Sequence, residues 1–514
     1  MKKITPSCIV LAVVVALLLS AFTESKGAQP GKKLLIAIGQ EPTTLDHSLS
    51  STGSDYIIAD NYGEYLINKT PDGELKPGLA ALWKVSRDGK QIEVTLRKGV
   101  KFHSGDLFTA KDVQFSFERG RAKNPVVKSR LEFLEKFEII DDYQFRIWLK
   151  QPDVTLIPNR FGTAIVSKGY YDKAGEESFT KHPVGTGPYK FVRHVSGEYA
   201  DIERFDDYWG EKPSVKEARF LFVSEDTTRV AKLQAGEVDL ISSCPYPLVK
   251  DLSRSPRLKT LRVATMHPTP AVSFNTQNPK TPWYDKRVRL AMAYSIDWRL
   301  MVSNVFGGVP EHYAFLGPQE VGYDPDLKPY PYDPKRARQL LAEAGYPGGF
   351  EFKFYWPITG RFPMAREMAE AIASYLEAIG IRTKLVGEEW AAYQARRDAS
   401  KGPEAEFVVL VGAGMAGAPD PTYFLSMFFG KGGRFSTYSN PEVTKLIADA
   451  KGIVDDTKRG EVIKKIVKIL YDDVAAIPIY NTVAVFAMKE NVDFRPARNH
   501  QMEVILVRDI TVKD

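Results

Sequence analysis

The stretch from Gly78 to Arg119 constrains this chain more than any other. It reads GLAALWKVSRDGKQIEVTLRKGVKFHSGDLFTAKDVQFSFER. Trp83 sits among apolar residues just before Ser86-Arg87-Asp88-Gly89, whose Asp-Gly pair suits a tight hairpin. Ile92, Val94 and Leu96 alternate with Gln91, Glu93, Thr95 and Arg97, which predicts a half-buried strand. Gly99 and Gly105 punctuate loops. Thr109 can then cap a helix, with Asp112 in the capping-box position and Val113, Phe117 and Phe115 turned inward. These residues make a small packed α+β unit, without a nucleophile, a metal cluster or a phosphate loop.

As a pattern the same residues are specific. Trp83, Ser86, Asp88-Gly89, Leu96-Arg97, Gly99 to His103, Gly105, Thr109-Ala110, Asp112-Val113 and Phe115 to Phe117 carry the likeness. The segment resembles the signature of the family-5 extracellular solute-binding proteins, the dipeptide- and oligopeptide-binding type of ABC importers. PVGTGPYKFV at Pro183–Val192 and QAGEVDLI at Gln234–Ile241 are two further family-like motifs, in the family's order. Gly185 and Gly187 allow a close backbone approach, or simply a turn entering a strand.

The N-terminus reads as a secretory signal. Lys2 and Lys3 precede an apolar core from Ile9 to Leu19, too short to span a bilayer, and small residues offer cleavage after Thr23 or Gly27. An uncleaved anchor is the alternative. The only cysteines are Cys8 and Cys244; Cys8 leaves with the signal, so no intrachain disulfide is expected. The net charge of +6 is spread along the chain, which argues against a nucleic-acid partner. A periplasmic, monomeric protein is expected.

The resemblance implies an α/β fold of two lobes, a periplasmic-binding-protein flytrap with an additional α+β subdomain. Residues 1–28 would be the signal, 29–66, 185–270 and 485–514 lobe I, 67–184 the inserted subdomain and 271–484 lobe II. Hinges would lie near Ala271–Asn275 and Ile479–Val485. Local patterns add a strand at Lys33–Gly39 and a helix near Asp55–Leu66. Asp285–Asp297 reads as one helix, and another starts at Asp333-Pro334. Helices are also expected at Pro363–Ile379 and Asp455–Val474, with a returning strand at Ala476–Ala487.

Enzyme chemistry finds little support. Gly412 to Gly417 fits G-x-G-x-x-G, but Pro419 and Pro421 interrupt the helix that a dinucleotide site needs, and Lys431–Arg434 replaces the acidic strand end. No G-x-S-x-G, H-E-x-x-H or C-x-x-C occurs, and the seven histidines are dispersed, so no metal site and no cofactor are expected. A secreted enzyme with a site assembled at long range is the alternative to a binding protein.

For a ligand, the resemblance points to Trp390 as a pocket aromatic, Arg361 beside a carboxylate, and Arg397 as a further basic position, with Arg396 competing for that register. Trp356, Asn275, Gly414, Gly417 and Asp420 complete the expected set. Peptide-binding relatives carry an acid that meets the peptide ammonium. Aligned on Asp420-Pro421, that position is Gly417, an aromatic position is Gly414 and a basic one is Val411. An ammonium unpaired in a closed cleft is costly, so a standard dipeptide is not the expected ligand. Permease subunits in the inner membrane are the implied partners.

Overall fold

The computed structural model describes residues 33–50, 53–69, 75–123, 127–128, 131, 134–153, 163–268, 271–318, 320–358, 364–399, 408–411, 420–496 and 504–513. The signal segment expected at 1–28 lies outside them, and among them no helix is long and apolar enough to cross a membrane.

In chain order the elements that place the site begin with β1 (Leu34–Ile38), α1 (Gly53–Tyr62), β2 (Ala80–Val85), β3 (Gln91–Leu96) and α2 (Ala110–Lys123). Then come β4 (Leu134–Asp141), β5 (Gln144–Leu149), β6 (Tyr189–Val195), β7 (Tyr199–Arg204), β8 (Glu217–Phe222), α3 (Asp226–Ala235) and β9 (Leu240–Ile241). The long β10 (Leu258–Pro268) leads into β11 (Ala271–Phe274), α4 (Lys286–Tyr294), α5 (Trp298–Asn304) and α6 (Pro334–Glu343). Next are β12 (Glu351–Pro357), α7 (Ala365–Glu377), β13 (Arg382–Glu388), α8 (Trp390–Ala399), β14 (Val408–Val411) and α9 (Thr422–Phe429). The last are α10 (Asp456–Asp472), β15 (Ala476–Pro478) and β16 (Asn481–Lys489).

Three of the five sheets among the described residues concern the site. A seven-stranded sheet has the order β10-β16-β9-β1-β8-β7-β6, a five-stranded sheet β13-β12-β14-β11-β15, and a four-stranded sheet β2-β3-β5-β4. In the first, β1 runs parallel to β8 and β9. In the second, β12 runs parallel to β13 and β14. The antiparallel pair β10/β16 joins the two. Ile241 of β9 faces Ala487, so the ribbon continues six residues past the carboxyl end of β9 until Pro268 meets Asn481. It then enters the second sheet at Ala271 and Pro478, which pair with each other and, through Ala271, with Val411 at the carboxyl end of β14. The carboxyl edges of both sheets therefore lie on the side of this crossing.

The four-stranded sheet and α2 form the unit foreseen between Gly78 and Arg119. Gly89 adopts φ +68 in the hairpin turn, and β3 alternates buried and half-buried residues. The Asp112 carboxylate accepts from the Thr109 N–H at 2.9 Å, half of the expected capping box. Val113 and Phe117 are buried, whereas Phe115 is half-buried against Tyr171.

The Gly185–Gly187 segment is where this unit meets the first sheet. A Cβ at Gly185 would lie 1.9 Å from the Tyr62 carbonyl, so both a close approach and a turn into β6 are realised. His103 seals the junction: one ring nitrogen donates to the Gly187 carbonyl at 2.9 Å and the other accepts from the Gly185 N–H at 3.3 Å. Beside it the buried Glu64 carboxylate accepts from Thr186, Tyr208 and Trp209 at 2.9, 2.7 and 2.8 Å. Burial pushes this carboxyl above its ordinary value, against the pull of those donors.

Two readings need correction. Asp285–Asp297 is not one helix: α4 stops at Tyr294, and Asp297 caps a new helix, accepting from the Leu300 N–H at 3.0 Å. Ala476–Ala487 is not one strand, because the chain leaves the second sheet after Pro478 and joins the first at Asn481.

Gly185→Ala is expected to destabilise the fold by about 3 kcal/mol or more, since the backbone it meets cannot move aside. Gly197→Ala, at φ +76 in open space, should cost only about 1 kcal/mol. Urea unfolding of the two variants checks the difference, and equal losses would remove the steric explanation.

Candidate functional site

In open α/β sheets, loops at the carboxyl ends of parallel strands are where ligands bind. Here Pro357, Glu388 and Val411 end β12, β13 and β14 on one edge, beside Ala271 and Pro478. In sequence these strand ends precede Arg361, Trp390 and the Gly414–Gly417 loop. Arg361, Gly414 and Gly417 lie outside the described residues, and of Trp390 only its place as the first residue of α8 is described.

The other expected residues separate. Arg397 is buried on α8, its guanidinium 3.9 Å from the centre of the Phe435 ring. Its neighbour Arg396 turns outward, pairs with Glu388 at 2.5 Å and lies 4.3 Å over the Tyr355 ring. Tyr393 and Arg397, four residues apart and both buried, share one face of α8 while Arg396 lies off it, which distinguishes the two arginines. Trp356 is half-buried near the end of β12, with its indole over Gly387, where a Cβ would come within 3.0 Å of it.

Asn275 is not at this edge. It follows Phe274 at the far end of β11, is fully buried, and accepts from the Gln277 N–H at 2.9 Å. Asp420 is buried, accepts from the Thr422 N–H at 2.8 Å and pairs with Arg459 at 2.5 Å. Its carboxylate serves the start of α9, so both residues have local structural work that spacing did not reveal.

Across the ribbon, the carboxyl ends of β1, β8 and β9 form the opposing edge. Ser242, just after β9, donates its N–H to the Ala37 carbonyl at 3.1 Å, and Val223, just after β8, to Ile38 at 2.9 Å. The crossing itself is braced. Tyr246 donates its hydroxyl to the Val483 carbonyl at 2.8 Å, and Asn481 bonds to the segment at Glu311 and Tyr313. His312, from that segment, bonds to the Pro478 carbonyl at 3.1 Å and lies 4.8 Å from the Trp298 ring centre. Among the described residues no group of three His, Cys, Asp or Glu side chains is placed to hold a metal ion. Cys244 is buried near the crossing, which pushes its thiol up to about 12.

Known proteins share this arrangement. The family described as bacterial extracellular solute-binding proteins, family 5 Middle, matches residues 74–436. Heme-binding protein A of Haemophilus influenzae is 30% identical over 90% of this chain and 89% of its own. The dipeptide-binding protein of Escherichia coli is 29% identical over 92% and 94%. Among solved structures, the ABC transporter-associated periplasmic binding protein DppA of Helicobacter pylori, in complex with the peptide STSA, superposes with a TM-score of 0.80. It is 28% identical, and the match covers 94% of this chain and 98% of that one. The two-lobed periplasmic-binding-protein architecture is thus the fold of this chain.

Burial pushes His103 and His312 down to about 4. Each ring already hydrogen-bonds a backbone carbonyl in the neutral form, and a proton added to His103 would point at the Gly185 N–H. The unfolded chain binds these protons first, near pH 6.5, so stability held at neutral pH falls as the pH drops from 6.5 towards 4. Each ring should contribute about 1–2 kcal/mol to that loss, discounted for partial exposure. Unfolding midpoints measured across this range check it; His312→Gln should flatten the profile, and an unchanged profile in that variant would remove His312 from the account.

Proposed function

The chain belongs to the bacterial extracellular solute-binding proteins of family 5, and from that premise we propose that it captures a small polar or peptide-like solute between its two lobes and hands it to an ABC-type permease in the inner membrane. The observation carrying this reading is the facing of two carboxyl edges across one antiparallel ribbon. Such a ribbon can bend with little loss of pairing, so the lobes can close on a ligand without breaking either core. The N-terminal signal, a periplasmic location and a monomeric state belong to the same proposal. So does the division into lobe I (29–66, 185–270, 485–514), subdomain (67–184) and lobe II (271–484).

Relatives with names as different as heme-binding and dipeptide-binding protein share this frame, so the frame does not select the ligand. Arg361, Arg397 and Trp390 supply a carboxylate partner, a second cation and an apolar wall in this reading. Gly417 stands where peptide-binding relatives place the amine-anchoring acid, and Asp420, the nearest acid in sequence, is held by Arg459. A carboxylate-bearing solute with no free ammonium at that position fits best.

Closure should lower the radius of gyration in solution scattering when a bound solute is present, and an unchanged curve at saturation would defeat the closing mechanism. A strain lacking the gene should lose uptake of the solute while its extracts still process it; loss of processing would favour an enzyme.

Gly417→Asp should improve affinity for Ala-Phe about tenfold or more relative to the unchanged protein, because a charge-assisted hydrogen bond contributes roughly 1.5–3 kcal/mol. Calorimetry with Ala-Phe and its N-acetyl form measures this, and tight binding of free Ala-Phe by the unchanged protein would show that another group meets the ammonium.

A further inference from the structure

Three arginines recur in one local geometry. Arg229, Arg289 and Arg459 are 1%, 3% and 6% exposed, among the most buried cations of the chain. Each is the fourth residue of its helix, α3, α4 or α10, and an acidic residue stands at the N-cap, Glu225, Asp285 or Asp455. Each folds back over its own helix start, and Nη1 donates to the carbonyls six and five residues earlier. These are Val223 and Ser224 at 2.7 and 2.9 Å, Trp283 and Tyr284 at 2.8 and 2.9 Å, and Ile453 and Val454 at 2.7 and 3.2 Å.

The remaining donors differ, and they decide what each arginine holds. Arg229 also donates to the Ser243 carbonyl at 3.2 Å, and a Cβ at Gly39 would lie 3.2 Å from its Nη1. Gly39 follows β1, Val223 and Ser224 follow β8, and Ser243 follows β9 with φ +50, a strained value for a residue with a side chain. One guanidinium thus bonds the chain at the carboxyl ends of β8 and β9 and lies beside the residue that follows β1. Arg459 holds the Asp420 carboxylate, which fixes the start of α9 on the carboxyl side of β14. Arg289 instead binds the Asp473 and Val474 carbonyls at 2.6 and 3.0 Å. Those residues precede Ala476, the end of β15 opposite the cleft edge.

We infer that Arg229 and Arg459 are positioning residues for the two walls of the solute cleft, one in each lobe, and that Arg289 uses the same clamp for stability alone. The inference rests on the solute-binding reading only where affinity is concerned. A cation in the first turns of a helix opposes the helix dipole, so its retention needs local acceptors that outweigh this cost. Carbonyl groups at strand ends are such acceptors, and a bidentate, rigid donor can fix several of them at once.

The test compares Arg229→Met, Arg459→Met and Arg289→Met in the full mature protein. In the free protein, hydrogen exchange of the Val223 and Ser242 amides should quicken about tenfold or more in Arg229→Met, and that of Thr422 likewise in Arg459→Met, with neither change in Arg289→Met. Hemin, Ala-Phe and Ser-Thr-Ser-Ala serve as binding probes. For whichever binds the unchanged protein, Kd should rise about tenfold or more in the first two variants and stay within about twofold in Arg289→Met, although all three lower the melting temperature. Local exchange that is unchanged in Arg229→Met, or equal weakening by Arg289→Met, overturns the inference. If no probe binds, the solute reading fails for these ligand classes while the exchange data still decide the positioning role. Should Arg229→Met not fold, Arg229→Lys keeps the charge but cannot span carbonyls after two strands, and the same exchange is expected from it.

Discussion

The pairing of β10 with β16 is the constraint on which the arrangement of this molecule depends. From Leu258 opposite Lys489 to Pro268 opposite Asn481 it is a ladder of backbone hydrogen bonds, interrupted once between Ala264 and Pro268. Because it begins within one sheet and ends at the edge of another, it fixes which edges of the two sheets approach. In both sheets that is the carboxyl edge, where loops following parallel strands carry side chains whose choice the fold leaves open. The ladder tolerates bending, since an irregularity releases twist locally while neighbouring bonds persist. Tyr246, Asn481 and His312 brace the same crossing from side chains.

A second dependence runs through α1. Its residues from Ser54 to Tyr62 are all buried, although four of them are Ser, Asp or Asn. Burying such groups is unfavourable unless each finds a partner. Asp55 accepts from the Thr43 N–H and hydroxyl at 2.7 and 2.8 Å, and Asp60 meets His47 at 2.7 Å. Asn61 donates to the Ile505 carbonyl and accepts from the Val507 N–H, tying in the C-terminal segment. Asp46, just before, pairs with the buried Arg119 of α2 at 2.6 Å, which in turn reaches Glu176 at 2.9 Å. One short helix and the turn before it therefore tie the N-terminal segment, α2 and the chain's C-terminal segment together through buried polar contacts.

What the sequence makes legible is local. Period-two alternation in β3, the Asp-Gly turn before it, and Asp-Pro opening α6 all depend on neighbours within a few residues, and each appears where expected. Strand register brings the ends of β12, β13 and β14 to one edge, and in sequence these ends precede the expected Arg361, Trp390 and glycine-loop positions. Asn275 and Asp420 went differently because their roles are set by partners outside the pattern, a turn at the far end of β11 and an arginine 39 residues away. The partners of α1 lie up to 446 residues distant, so its apolar spacing at Ile57, Ile58 and Tyr62 hides that its polar faces are also buried. The break between Pro478 and Asn481 has no local marker either, since both halves are apolar and extended.

The arginine clamps lie between these two cases. An acid followed four residues later by Arg occurs at Glu225, Asp285 and Asp455, and in a helix it would ordinarily be read as an exposed i,i+4 pair. Here the acid is the N-cap, or stands beside it, and the arginine bends back to carbonyls that precede the helix. The difference is burial. On a surface, water satisfies those carbonyls and the pair gains little. At a strand-to-helix turn packed inside the protein, water is excluded, unpaired carbonyls are costly, and a guanidinium with five donors can meet several at once. The same short pattern becomes a structural joint wherever tertiary packing seals a strand end, and the strand ends sealed by Arg229 are those that face the cleft.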